Sequence, residues 1–327
     1  MKRRFCTLFD KNYLPQLLVL VESLEAHVGG FTIYCFCMDN ESFLYLKGLN
    51  HPNLILVSHT SLESHIPELI TAKSNRSKVE YYFTCTASIC SYVFEHNPTI
   101  DLLTYLDADL CFYSSPEIIY HELENYSIGI IAHKFYGLWR YYAKYGKFNV
   151  GWVSFKNDEN GRKCLNDWKY DCLEWCYDRL ENGKYADQKY LDAWPKKYHG
   201  VYEIKHPGAN LAPWNVGQYQ LALNAEDKIE VNNYPLIFYH FANFKQVAPT
   251  QYYTSVSKYL VKLSGVLLHE IYLPYAYKLN QYNKKLGYKY LHKERNEIYT
   301  SNISLAIKQL SRNIRQILCK DNLSISS

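Results

Sequence analysis

The chain has 327 residues, enough for one large domain or two modest ones, and a net charge of +4. So small a basic excess excludes a whole-protein nucleic-acid binder, and no stretch reaches the about 20 apolar residues that a membrane span needs. The 33 tyrosines and six tryptophans offer flat apolar faces with a polar handle, suited to stacking on sugars and nucleobases, although compositional bias accounts for them equally well.

Arg4 to Phe9 predicts a short strand and Asp10-Lys11-Asn12 a turn. Leu14, Leu17, Leu18, Val21 and Leu24 then recur at helical spacing. Phe31 to Met38 reads as a second buried strand ending in Asp39-Asn40, Leu44 to Leu49 as a helix and Leu54 to Val57 as a third strand. This β-α-β-α-β opening predicts a parallel sheet with a nucleotide at the strand ends, where Asp10, Tyr13 and Asp39 would sit. Each of the three reads equally as an ordinary turn or cap residue. Arg76-Ser77-Lys78 precedes an apolar helix running through Tyr92. A basic group there would offset diphosphate charge, or Arg76 and Glu80, four apart, would pair on the helix surface.

The stretch Leu102 to Tyr113 carries the chemistry. An apolar, β-branched run reads as a buried strand with Asp107 and Asp109 at its C-terminal end, facing the ligand crevice of an open α/β sheet. In an extended strand, residues two apart share a face. Side-by-side carboxylates repel, and burying them uncompensated is costly. A divalent cation removes both costs, and oxygen ligands suit Mg²⁺ or Mn²⁺. A bare Asp-x-Asp also occurs in solvated turns and helix caps; the apolar strand before this one favours the metal.

Ser114-Ser115-Pro116-Glu117 starts a helix, and Ser127 to His133 is another apolar strand. Phe135 to Lys147, rich in Tyr, Trp, Lys and Gly, predicts a loop or lid over the site. Phe148 to Phe155 is a strand with Asn149 and Gly151 set into it, and a glycine there marks close approach by ligand or backbone. Lys163 to Leu180 predicts a core helix, and Asp187 stands near the start of the next one, as a helix-terminal charge or an active-site group. His206 to Trp214 is a loop, followed by an apolar strand ending at His240. A strand-end His is commonly a packed core residue, but the Asp pair still wants a third ligand and an imidazole suits Mn²⁺.

Tyr252 to Leu286 has helical apolar spacing, and 303–317 forms a basic amphipathic helix that would dock on the domain, on a partner or on an anionic membrane. The ten cysteines lie mostly in apolar runs, as small buried hydrophobes do. They show no zinc spacing, and no apolar core long enough for a signal peptide follows Met1 to Arg4. A reducing cytoplasm is the expected home.

Together, Tyr-Leu-Asp107-Ala-Asp109, Phe-Asn149-Val-Gly151, Asp187-Gln188 and His240-Phe241 resemble, in order and spacing, GT-A-type glycosyltransferases, particularly those like family 8. The resemblance covers residues 1–245. It implies an α/β GT-A fold, with a mostly parallel central sheet flanked by helices and a C-terminal helical extension. It also implies a UDP-sugar or similar nucleotide-sugar donor and retention of anomeric configuration. Asp107, Asp109 and His240 would bind Mn²⁺ or Mg²⁺, with His206 as second choice for the third ligand. Asp10, Tyr13, Asp39, Arg76, Asp107, Asn149, Gly151 and Lys245 would contact the donor, and Asp187 and Gln188 would sit beside the anomeric carbon. The sequence departs from family 8 after His240: the family's His-Phe-x-Gly-x-x-Lys-Pro-Trp is here His240-Phe-Ala-Asn243-Phe-Lys245, with the Lys one place early and no Pro-Trp. It also resembles a bacterial group associated with surface polysaccharide assembly, which implies a glycan or lipid-linked acceptor.

The expected organisation is a GT-A domain over 1–247, a helical extension over 248–320 and a disordered tail over 321–327. The expected function is metal-dependent sugar transfer in the cytoplasm, with peripheral membrane contact through the basic C-terminal helix and no nucleic-acid partner. The alternatives are a non-catalytic sugar- or partner-binding protein and an Asp-x-Asp phosphohydrolase. The latter would place its motif near the start of the fold and follow it with a small β-branched residue, where this chain has Leu110-Cys111.

Overall fold

The computed structural model describes residues 2–288 and 322–325. Its centre is a seven-stranded sheet. Strands β1 (Arg3–Phe9), β2 (Phe31–Cys37) and β3 (Leu54–Ser58) alternate with helices α1 (Leu14–His27) and α2 (Asn40–Leu49). Short helices α3 (His59–His65) and α4 (Glu68–Asn75) lead to α5 (Lys78–His96), then β4 (Leu102–Leu106) and the short β5 (Leu110–Phe112). Helix α6 (Glu117–Leu123), β6 (Ile128–Ala132), β7 (Phe148–Lys156), α7 (Glu159–Glu174), α8 (Trp194–Lys197) and β8 (Val201–Ile204) follow. The strand order is β3-β2-β1-β4-β7-β6-β8. Every pairing is parallel except those of β7, which runs antiparallel to β4 and β6.

The alternation of side chains along each strand divides the apolar residues between two layers. On β2, Tyr34 and Phe36 join the layer beneath α5 and α7, whereas Ile33, Cys35 and Cys37 join the layer beneath α1. Because both faces are covered, the strands read as continuous apolar runs. Helix α5 begins with a capping box, in which the Ser77 hydroxyl accepts from the Glu80 amide and the Glu80 carboxylate accepts from the Ser77 amide. The nine described cysteines are buried thiols.

The strand expected to carry Asp107 and Asp109 at its end stops at Leu106, and a second short strand follows the pair. After β4 the chain turns at Asp107–Asp109, with the Leu110 amide donating to the Asp107 carbonyl. β5 then leaves the main sheet and pairs antiparallel with β12 (Phe238–His240). Ahead of β12, β9 (Leu221–Leu223), β10 (Ile229–Val231) and β11 (Tyr234–Pro235) make a small antiparallel sheet. Trp152 of β7, fully buried, fills the angle between the two sheets. Its ring stacks on Phe238 (5.5 Å, 12°) and lies 5.6 Å from Tyr120 of α6.

The C-terminal region departs from a purely helical extension. β13 (Lys245–Ala248) and β14 (Gln251–Tyr253) form a hairpin, a short 3-10 helix follows at Val256–Tyr259, and a π-helix over Leu267–Tyr272 leads into α9 (Leu273–Lys285). The tail expected to be disordered supplies a strand, β15 (Asn322–Ser324), paired with β14. The reason is burial: Leu323 and Ile325 enter the third apolar cluster with Tyr252 and Phe244. The helix expected over 303–317 lies outside the described residues.

Because Trp152 is fully buried where the two sheets meet, Trp152→Ala should cost about 3–5 kcal/mol. Chemical denaturation would show this as a lowered midpoint with an unchanged slope.

Candidate active site

The site forms where β4 ends. The Asp107 amide donates to the Gly151 carbonyl (3.1 Å), and the Phe241 amide donates to the Asp109 carbonyl (3.0 Å). The β5–β12 register sets His240 opposite Leu110. Two backbone bonds and one strand pairing therefore fix three side chains around one point. His240 Nε2 lies 3.2 Å from Asp109 Oδ1 and 3.6 Å from Asp107 Oδ2, and one ligand atom from each of the three falls within 4.8 Å of the others. Asp107 and Asp109 do meet, but in a turn rather than along an extended strand. The chain changes sheets between them, and the turn brings the carboxylates together.

The electrostatics are those of crowded negative charge. Burial raises the Asp107 carboxyl, the Asp109 charge raises it further, and the His240 and Tyr105 contacts oppose them. For His240, burial favours the neutral ring, but the Asp109 and Asp107 charges outweigh it and hold the imidazole above its ordinary value. Asp187, also buried, is pushed up to about 7, first by burial and then by the Asp107 charge, with the Thr86 hydroxyl opposing. Tyr13 leans over the same corner; burial and then the charges of Asp109, Asp107 and Asp10 raise its phenol.

A divalent cation fits this donor set. Two carboxylates and an imidazole suit Mn²⁺ and admit Mg²⁺. His240 Nδ1 is buried without a hydrogen-bond partner while Nε2 faces the carboxylates, as a nitrogen-ligating ring would be aimed. Gly151 makes room for that ring: a Cβ there would stand 2.9 Å from His240 Nδ1 and 2.6 Å from Asn149 Oδ1. A register shift between β6 and β7 bulges the chain at this point, a device common beside active sites. The Asn149 side chain accepts from the Gly151 amide (3.0 Å) and reaches toward His133 Nε2 (3.4 Å).

The remaining expected residues occupy different positions. Asp10 ends β1, accepts from the Asn12 amide (2.9 Å) and pairs with Lys78 (2.5 Å). Asp39 caps α2, accepting from the Ser42 amide (2.8 Å) and the Lys11 amide (2.6 Å). Gln188 donates to the Tyr145 carbonyl (2.9 Å), tying the Asp187 turn to the Gly137–Tyr145 segment, which winds as a 3-10 helix. Arg76 is not drawn into the cluster. Its guanidinium bonds Thr84 and the carbonyls of Cys172 (2.8 Å) and Leu173 (2.6 Å), satisfying the end of α7. Nor does it pair with Glu80, which caps α5. Lys245 is exposed on the β13 hairpin. His206 is buried outside the three-residue group, its Nδ1 accepting from the Gly208 amide (3.1 Å).

Two residues beside the corner were not among the expected site residues. Trp214 sets its ring against His240 (5.1 Å, 80°) and donates to the His133 carbonyl (2.8 Å). His133, pushed down to about 4 by burial, is a neutral wall behind Asn149. One residue sat in a run of turn formers and the other at a strand end, so only their convergence marks them.

No protein-family profile matches the sequence. Two uncharacterised proteins of Bacillus subtilis (strain 168) are similar. YfnD is 28% identical over 286 residues, covering 85% of this chain and 89% of YfnD. YfnF is 32% identical over 255 residues, covering 76% of this chain and 84% of YfnF. Among solved structures, galactosyltransferase LgtC in complex with donor and acceptor sugar analogues aligns with a TM-score of 0.50 at 17% identity, over 75% of this chain and 88% of LgtC. An active-site mutant of LgtC gives 0.51 at 16% identity. The fold is that of GT-A glycosyltransferases.

Gly151→Ala should push the His240 ring aside and weaken Mn²⁺ binding by about tenfold or more. Titration followed by the paramagnetic resonance of free Mn²⁺ would measure it.

Proposed function

The chain belongs to the same family as YfnF of Bacillus subtilis, and from the GT-A fold and the geometry of its site we propose that it is a metal-dependent glycosyltransferase using a nucleotide-sugar donor. The observation that carries this is the convergence of Asp107, Asp109 and His240 at the crevice end of the sheet. These three would hold Mn²⁺ or Mg²⁺. When bound, such an ion supplies positive charge that stabilises a departing diphosphate.

The chain's own residues do the rest. Asp10, at the end of β1, and Asp39, at the head of α2, offer acceptors for the nucleoside, for which UDP is the first choice. The Tyr13 phenol, kept protonated by burial and then by the surrounding carboxylates, donates to a donor oxygen. Asn149 and Gly151 line the sugar side, where the glycine lets a ring come close to backbone. Asp187 and Gln188 flank the anomeric carbon, and their tie to the Gly137–Tyr145 lid lets the lid exclude water. Retention of configuration fits a carboxylate placed beside that carbon. The acceptor is a surface glycan or a lipid-linked sugar.

Calorimetric titration with UDP, in Mn²⁺ and then in EDTA, tests the site. Binding should appear with Mn²⁺ and vanish with EDTA; metal-independent binding, or none to any nucleoside diphosphate, would favour a non-catalytic binding protein. Asp109→Asn should abolish Mn²⁺-dependent UDP binding while circular dichroism and thermal unfolding stay native. Asp187→Asn should keep UDP binding but lower sugar transfer by about a hundredfold or more.

A further inference from the structure

The Gly137–Tyr145 segment connects β6 to β7 and buries none of its residues. Leu138 stands 86% exposed at its tip and Tyr141 66%. The inner side of the segment leans on Tyr259, whose ring lies 5.5 Å from Trp139 and 6.2 Å from Tyr142. That contact brings the lid next to the turn that carries Leu260, which has a left-handed backbone (φ 57°) and is 60% exposed. Single exposed apolar side chains are ordinary, but here two exposed leucines are each carried one residue from a pair of rings in contact, Trp139 and Tyr259.

Charge singles out the same surface. The sequence has no Asp or Glu over 125–157 or over 231–269, the two stretches that meet at Tyr259. They carry Arg140, Lys144, Lys258 and Lys262. The Lys144 ammonium lies over the Tyr141 ring, 3.8 Å from its centroid, and the Lys258 ammonium over Tyr142 at 5.2 Å. The nearby carboxylates of Glu203 and Asp192 are paired with Lys147 and Lys189. No helix among the described residues is long and apolar enough to cross a membrane. The patch instead matches a surface that lies on one, with leucines at the acyl boundary and aromatic and cationic groups among the headgroups. A glycan platform would use the rings and leave the leucines without a role.

We propose that the lid tip around Leu138–Tyr141 and the Lys258–Leu260 turn form a docking face for an anionic lipid bilayer. Gln188 is bonded to the far end of the same segment at Tyr145, so the proposed face and the candidate site share one segment. The inference does not depend on the transfer reading, because docking needs neither metal nor donor.

Sedimentation of the full chain with vesicles tests it. Binding should be strong to phosphatidylglycerol-containing vesicles, weak to pure phosphatidylcholine, and reduced by salt. The pair Leu138→Glu and Leu260→Glu should lower it by about tenfold, with the circular dichroism spectrum and thermal unfolding unchanged. Three outcomes would overturn the proposal: no binding of the unaltered chain, binding unaffected by the leucine pair, or loss only on changing Lys308, Arg312 and Arg315 to Gln. In the second of these outcomes, weakened binding of an anionic polysaccharide by the leucine pair would reassign the face to a glycan.

Discussion

Two carboxylates and an imidazole share one buried corner, and the rest of the site depends on how the chain tolerates that. Left alone, Asp107 and Asp109 would repel and the corner would open. Backbone bonds to Gly151 and Phe241 hold the turn, and the β5–β12 pairing brings a nitrogen ligand between the two acids. The resulting excess of negative charge is felt at Asp187, at Tyr13 and within the pair itself. A cation at this point would relieve all of them at once, so ligand binding and local stability are coupled there.

The supports behind the corner are apolar and close-packed. Trp152 wedges the small sheet against the large one, and Trp214 fixes the face of the His240 ring. Gly151 contributes by what it lacks, since any side chain would collide with both His240 and Asn149. On the other side, Arg76 bonds the carbonyls that end α7. A guanidinium there suits the planar, divergent acceptors of a helix end, a use as natural for arginine as phosphate binding.

The lid links this chemistry to the surface. It touches the Asp187 turn through Gln188 and the C-terminal region through Tyr259, with Trp139 and Tyr142 only partly buried against the third apolar cluster. A segment with only partly buried contacts gains less from the core than the strands it connects.

The parallel strands, their helices and the Asp-x-Asp position were legible in the sequence, because each is written locally as an apolar run, a helical repeat or a charged pair at a strand end. Helix-forming residues 14–24 and strand 31–37 lie where their spacing puts them. His240 was legible only as a strand-end residue, and its place beside Asp109 follows from an antiparallel pairing of strands more than a hundred residues apart. The break after Leu106, the strand at 322–324 and the convergence of His133 and Trp214 were likewise decided by tertiary packing. Local pattern specifies which face of an element is buried. Which elements meet depends on long-range contacts that no single window of sequence contains, and the metal-capable corner is made entirely of such contacts.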